Sequence, residues 1–164
     1  MNPARPRGFT LLEVAFVLAV LGIVLAIAVP GYAHLSARAK LRSAAEALAS
    51  DLRNARLLSV QERVPVFVSF HSGAQWCWGV SRTQACECET GKPRCDVSSA
   101  SYKSHPDVLL QAGSDSEFEP GLGRAMRWSQ VGMSNSKNQQ LHVDLNAMGR
   151  PQICGPAAPR SSDC

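Results

Sequence analysis

The sequence predicts an α+β fold in which one long N-terminal helix is laid on antiparallel sheet. Two observations predict it. A helical pattern runs from Phe9 to Arg63, interrupted only by Pro30-Gly31. After it come short runs of β-formers separated by Ser, Gly, Asn and Pro clusters. Helix first and strands after is the order of a segregated α+β domain rather than of alternating βαβ units.

Residues 1–8 carry Arg5 and Arg7 and no acid, a positive flank of the kind that stays cytoplasmic. From Phe9 to Val29 there are 21 residues, and Glu13 is the only charge. As a helix this stretch rises ~30 Å, the hydrocarbon thickness of a bilayer. A secretory signal has a shorter apolar core, about 7–15 residues, followed by its cleavage site. Here the small residue, Gly8, precedes the apolar run. A cut at Gly8 leaves the membrane helix on the mature protein. Glu13 is out of place in that run, because a carboxylate in a membrane helix costs about 2.5–3.5 kcal/mol on insertion scales. A functional role competes with simple snorkelling to the headgroups.

Past Pro30, Leu35, Leu41, Ala45, Leu48, Leu52, Ala55 and Leu58 recur mainly at three- and four-residue steps, with Arg38, Lys40, Arg42, Arg53 and Arg56 on other faces. The pattern is an amphipathic continuation of the helix, ending near Arg63 before Val64-Pro65. Pro30 is expected to kink it or melt it locally. The full stretch would rise ~80 Å if straight. The chain therefore divides into a leader (1–8), a transmembrane helix (9–29), its amphipathic continuation (30–63) and a β-rich head (64–164).

In the head, Val66 to Phe70 is a dense β-former run, and Trp76 to Val80 follows after a His71-Ser72-Gly73-Ala74 turn. Val108 to Leu110, Met126 to Val131, Leu141 to Leu145 and Gln152-Ile153 are further strand candidates. Residues 111–121 and 155–164 read as mobile. Trp76, Trp78 and Trp128 are expected to pack rather than to stack on a ligand.

The whole chain has 164 residues, 17 Lys/Arg, 13 Asp/Glu and a formal charge of +4. Its 18% of charged residues falls below the roughly 25% of an average domain. Apolar content with so small a charge excludes a disordered chain, and the acids exclude a histone-like polycation. A positive leader inside places the head outside the cytoplasm, where disulfides form. Six cysteines fall into two groups: Cys77, Cys86, Cys88 and Cys95, then Cys154 and Cys164. Cys86 and Cys88 are poorly placed to bridge each other, so Cys77 and Cys95 each take one of them, and Cys154 takes Cys164. Zinc is the rival, with His71 or His105 as further ligands, but the paired C-x₂-C spacing of common sites is missing. No cofactor is expected. The histidines, His34, His71, His105 and His142, are scattered, no nucleophile has a base at a recognisable spacing, and Gly121-Leu122-Gly123 is an incomplete nucleotide fingerprint. The sequence offers no enzyme.

Arg7-Gly8-Phe9-Thr10-Leu11-Leu12-Glu13-Val14 closely resembles the class III signal of type IV prepilins and type II secretion pseudopilins. Gly22 and Pro30-Gly31 also match that family's helix. The resemblance implies cleavage between Gly8 and Phe9 by a prepilin peptidase and N-methylation of Phe9. It further implies that Glu13 pairs with the terminal amine of a neighbouring subunit, the partner a buried carboxylate requires. Ala55 to Ser59, Trp76 to Val80 with its Cys-rich loop, Arg127-Trp128-Ser129 with Gly132, and Gly149-Arg150 before Cys154 resemble the GspH/FimT branch of minor pilins and pseudopilins. That branch implies a pilin-like head with a helix packed on two antiparallel sheets. The implied location is the inner membrane with the head in the periplasm, then a pilus or pseudopilus. The implied partners are other subunits, met through the N-terminal helix.

Three roles follow from the resemblance: a minor pilin helping to initiate type IV pilus assembly, a minor pilin binding DNA for transformation, or a type II secretion pseudopilin. Some members of the branch bind DNA through Gly-Arg-x-Arg; this chain has Gly149-Arg150-Pro151-Gln152, with the second arginine replaced. Residues 64–119 carry −3 and residues 120–164 carry +3. Arg124, Arg127, Lys137 and Arg150 are therefore the candidate phosphate contacts, against the reading of an ordinary solvated surface.

Overall fold

The computed structural model of the protein describes residues 10–89, 94–127 and 129–156. Two compact units divide the chain, one ending at Ser36 and the other beginning at Ala37. Helix α1 (Leu11–Glu62) contributes to both. Thr10 opens it: the Glu13 backbone N–H donates to the Thr10 hydroxyl (3.3 Å) and carbonyl (3.1 Å). Thr10 is thus the N-cap and Glu13 the third helical residue, the Thr-x-x-Glu spacing of a capping box. The helix is unbroken through Pro30, so the local melting expected there does not occur. It stops at Arg63, whose φ of 55° is the left-handed conformation that ends many helices; Val64-Pro65 then cannot continue it.

Among the described residues, the second unit holds nine strands in two antiparallel sheets. The first has the order β3-β2-β1-β5-β6 and the second β4-β7-β8-β9. The strands are β1 (Val66–His71), β2 (Cys77–Arg82), β3 (Ser98–Ser101), β4 (Val108–Ala112), β5 (Ser116–Phe118), β6 (Ala125–Arg127), β7 (Gln130–Asn135), β8 (Gln140–Leu145) and β9 (Pro151–Cys154). In the first sheet, β1 is central: Val68 faces Val80 across β2 and Ser116 across β5. In the second, Val131 pairs with Val143, which pairs with Ile153.

One core joins the helix to both sheets. Leu41, Ala44, Ala45, Leu48, Ala49, Leu52 and Ala55 are fully buried against Val66, Val68, Trp78, Val80 and Phe118 of the first sheet and Val131, Met133, Leu141 and Val143 of the second. Alternate residues of each strand face inward, as the two-residue strand period requires. A fully buried Leu or Val contributes about 1.5–3 kcal/mol. The alanines keep the helix slim where two sheets must reach it. Leu35 does not belong to this stripe and is exposed.

Three other readings change. Met126 to Val131 is two strands in different sheets, β6 and β7, with Trp128 between them and outside the described residues. Segment 111–121 is not simply a mobile loop, since it contains β5, whose Phe118 is buried. Strand β3, all small and mostly polar residues, had no β-former signal; it forms by pairing with the edge of β2. Of 155–164, only Gly155 and Pro156 are described.

Candidate functional site

At the amino terminus, Gly8 and Phe9 lie outside the described residues. Every residue from Leu11 to Val29 is exposed, an apolar surface long enough for the helix to cross a membrane. Glu13 stands on that surface, also exposed. Its place as the third helical residue gives it a local task besides any intersubunit one: the carboxylate sits at the positive end of the helix dipole.

In the head, Cys77 is bridged to Cys88 and Cys86 to Cys95. The two bridges fold the segment after β2 back over that strand. Trp78 and Val80 point into the core, while Cys77, Gly79 and Ser81 face the bridged segment, so β2 is buried on both sides. Gly79 is what lets the cover approach. A Cβ there would lie 2.1 Å from Cys95 Sγ and 3.0 Å from Cys86 Sγ. Ser69 accepts the Cys86 N–H at 3.2 Å, and Ser81 donates to the Gln84 carbonyl. Cys154 is also disulfide-bonded; Cys164 lies outside the described residues. The zinc alternative loses its thiolates to the bridges, and among the described residues no cluster of His, Cys, Asp and Glu is arranged to hold a metal.

The tryptophans Trp76 and Trp78 are fully buried and stacked on each other at 5.4 Å between centroids. Each indole N–H has an acceptor at 2.7 Å, the Val108 carbonyl for Trp76 and Asp51 of the helix for Trp78. His105 stacks against both rings, and its burial pushes the imidazole below its ordinary pKa. The rings are packing, with no open face for a ligand. His71 instead pairs with Glu89 at 3.2 Å. At the end of the helix, Glu62 and Asp96 both hold Arg82, at 2.8 and 3.2 Å; the hydrogen bond and charge of Glu62, with less from Asp96, raise the guanidinium pKa.

The four candidate phosphate contacts, all exposed, do not form one face. Arg124 and Arg150 lie in two loops that touch. The Ala125 N–H donates to the Ala147 carbonyl at 3.2 Å. Helix residue Arg56 clamps the same loops, its Nε donating to the carbonyls of Gly123 (3.2 Å) and Met148 (3.1 Å). Gly149, at φ +72°, has the Gly123 carbonyl 2.3 Å from where a Cβ would stand. The Gly149-Arg150 pair is therefore a turn constraint as much as a motif: Asn146 Oδ1 accepts the N–H groups of Met148 and Arg150. Arg127 stands beside these loops, with Glu117 opposite it across the β5–β6 pair. Lys137 is in the β7–β8 turn, at the other end of β8, ~20 Å away at strand rise.

Sequence reasoning missed Arg56, which it counted only as an outward helix charge, and the fit of Gly79 beneath a disulfide. It also passed over the capping-box spacing of Thr10 and Glu13, a signal that was there to be read.

A known family pattern covers the amino terminus: residues 3–29 match the prokaryotic N-terminal methylation motif. No curated protein is significantly similar to the chain in sequence. Among solved structures, the chain is similar to the type IV minor pilin FimU of Pseudomonas aeruginosa PAO1 in two crystal forms. In space group P21 the TM-score is 0.56 at 18% identity, covering 76% of this chain and 96% of FimU. In P65 it is 0.53 at 17%, covering 74% and 98%. A prokaryotic N-terminal methylation motif and a fold similar to that of a type IV minor pilin are thus joined in this one chain.

Proposed function

We propose that the protein is a minor pilin, a low-abundance subunit of a type IV pilus that helps initiate assembly and enters the filament by helix packing. The observation that carries this reading is a methylation motif on an apolar helix whose whole surface from Leu11 to Val29 is unburied. A prepilin peptidase would cut after Gly8, and Phe9 would become the methylated terminus. The segment 9–29 would anchor the subunit in the inner membrane with 64–164 in the periplasm, then pack in the filament. In that packing Glu13 would meet the terminal amine of its neighbour, since a carboxylate moved into an apolar bundle needs a cation. The similarity to FimU supports a pilus over a secretion pseudopilus. A DNA-receptor role has less support, because Lys137 is remote from the arginines and Glu117 opposes Arg127.

Two substitutions separate the roles of Glu13. Glu13→Gln keeps an N-cap partner but removes the charge; Glu13→Ala removes both. Both variants should be processed at Gly8–Phe9 and both should be missing from sheared pili, with at least a tenfold drop in incorporated subunit. Wild-type incorporation of Glu13→Gln would leave only the capping role and refute the charge pairing.

A further inference from the structure

Lys137, remote from the candidate arginines, has a neighbourhood of its own. Asn135, at the end of β7, donates through Nδ2 to the Ala37 carbonyl of the helix at 3.0 Å. Its Oδ1 accepts the backbone N–H groups of Lys137 and Gln139, at 3.0 and 3.1 Å. The β7–β8 turn is thereby fixed against the start of the buried part of the helix. Where turn and helix meet lies a hollow of about 330 Å³, lined by Arg38, Asn138, Gln139, Gln140, His142 and Pro156. The lining offers one guanidinium, three side-chain amides, one imidazole and no carboxylate. Arg38 uses one N–H group on the Pro156 carbonyl, at 3.4 Å, and a guanidinium has five. Gln139 accepts from Asn135 through Oε1 at 2.8 Å, which leaves its amide nitrogen to donate elsewhere. A concave set of donors around a fixed guanidinium matches phosphate oxygens. The nearest acids along these elements do not compete: Glu46 pairs with Arg42 at 2.7 Å, and Asp144 is outside the lining.

Charge along the chain says where the phosphate comes from. No acid stands between Glu13 and Glu46, while Arg38, Lys40 and Arg42 fall within five residues. Arg38, Lys40 and Lys137 are exposed, and neither lysine forms an ion pair among the described residues. Arg38 comes nine residues after Val29, the end of the apolar run, ~13 Å as helix. The headgroup layer covers roughly 5–7 Å of that. Helical side chains lean toward the N-terminus, here toward the bilayer, and long cationic side chains reach back to headgroups. An anionic lipid surface favours each nearby cation about fivefold. A nucleic-acid track would need further cations, and the candidate arginines Arg124 and Arg150 lie toward the other end of β8.

We propose that the hollow between Arg38 and the β7–β8 turn takes the phosphate of an anionic phospholipid headgroup, with Lys40 and Lys137 adding charge around it, so that the head rests on the bilayer until the subunit enters a filament. The site deepens the proposed function and rests on its reading of 9–29 as the membrane anchor. The full chain, carrying a fluorescent amino acid at position 136, is reconstituted into phosphatidylcholine vesicles with or without about 30% phosphatidylglycerol, each with a quencher on a trace of headgroups. Quenching should be at least threefold stronger with phosphatidylglycerol, and should fall to the phosphatidylcholine level at about 0.5 M NaCl. Arg38→Glu with Lys137→Glu should abolish the difference, and Arg38→Lys with Lys137→Arg should retain it. Lys137→Glu alone, which breaks no ion pair among the described residues, should at least halve it at an unchanged melting temperature, separating lost binding from lost folding. Quenching indifferent to charge reversal would overturn the site. So would calorimetric binding of inorganic phosphate that the double reversal removes, with no lipid dependence of quenching: the hollow would then hold free phosphate. Loss of the double reversal from pili with unchanged quenching would make these cations a subunit contact instead. Chains that fail to float with either vesicle lack the anchor, and the proposed function falls with the site. Chains that float but quench alike in both lose the headgroup site alone.

Discussion

Gly79 shows how a residue with no side chain can decide what a strand does. On β2 it leaves the space into which the Cys86–Cys95 bridge settles. An added methyl has to displace a sulfur that is itself tied at both ends, and such overpacking typically costs about 1–3 kcal/mol. Gly79→Ala should therefore lower stability by about that amount in urea denaturation of the oxidised protein. Gly132→Ala, where the nearest atom to the new Cβ is 3.5 Å away, should change it by less than ~0.5 kcal/mol. The chemistry of single residues was readable in the sequence where it depended on type: Glu13 stood out as a charge in an apolar run, and the cysteines as a bridging set. Gly79, Arg56 and Gly149 were not readable, because their roles depend on atoms from segments far along the chain.

Among the elements, the helix was the most legible and the sheets the least. The spacing of Leu41, Ala45, Leu48, Leu52 and Ala55 repeats every turn, so a local pattern reports the buried face directly. Strand partners carry no such local record. Nothing in Ser98 to Ser101 says strand until β2 offers an unpaired edge, and nothing around Trp128 says that the chain leaves one sheet for the other. The helix face makes a sharp contrast to test. Leu48→Ala, at a fully buried position, should destabilise the head by about 2–5 kcal/mol. Leu57→Ala, two and a half turns further on and half exposed, should be within ~0.5 kcal/mol of neutral in the same thermal melts.

At the scale of the molecule, the division at Ala37 separates a helical stretch made for an apolar surrounding from a unit with its own core. Among the described residues, all of the buried helix residues lie at or after Ala37. A chain starting at Ala37 should thus fold without detergent and unfold in one cooperative transition, monitored by circular dichroism; a requirement for lipid or detergent would contradict it. The fold class was legible because the order of elements and the length of the apolar run are global features of the sequence. The interlaced bridges carry one more consequence. In chain order the cysteines are 77, 86, 88 and 95, yet Cys77 joins Cys88 and Cys86 joins Cys95. If the head is threaded across a membrane from its amino end, Cys86 is the first thiol to reach Cys77, and rapid oxidation traps that pair. The native set then needs a thiol to attack and exchange partners. Maturation of this small head would accordingly be limited by shuffling of bridges rather than by their formation, and would depend on an isomerase as much as on an oxidant.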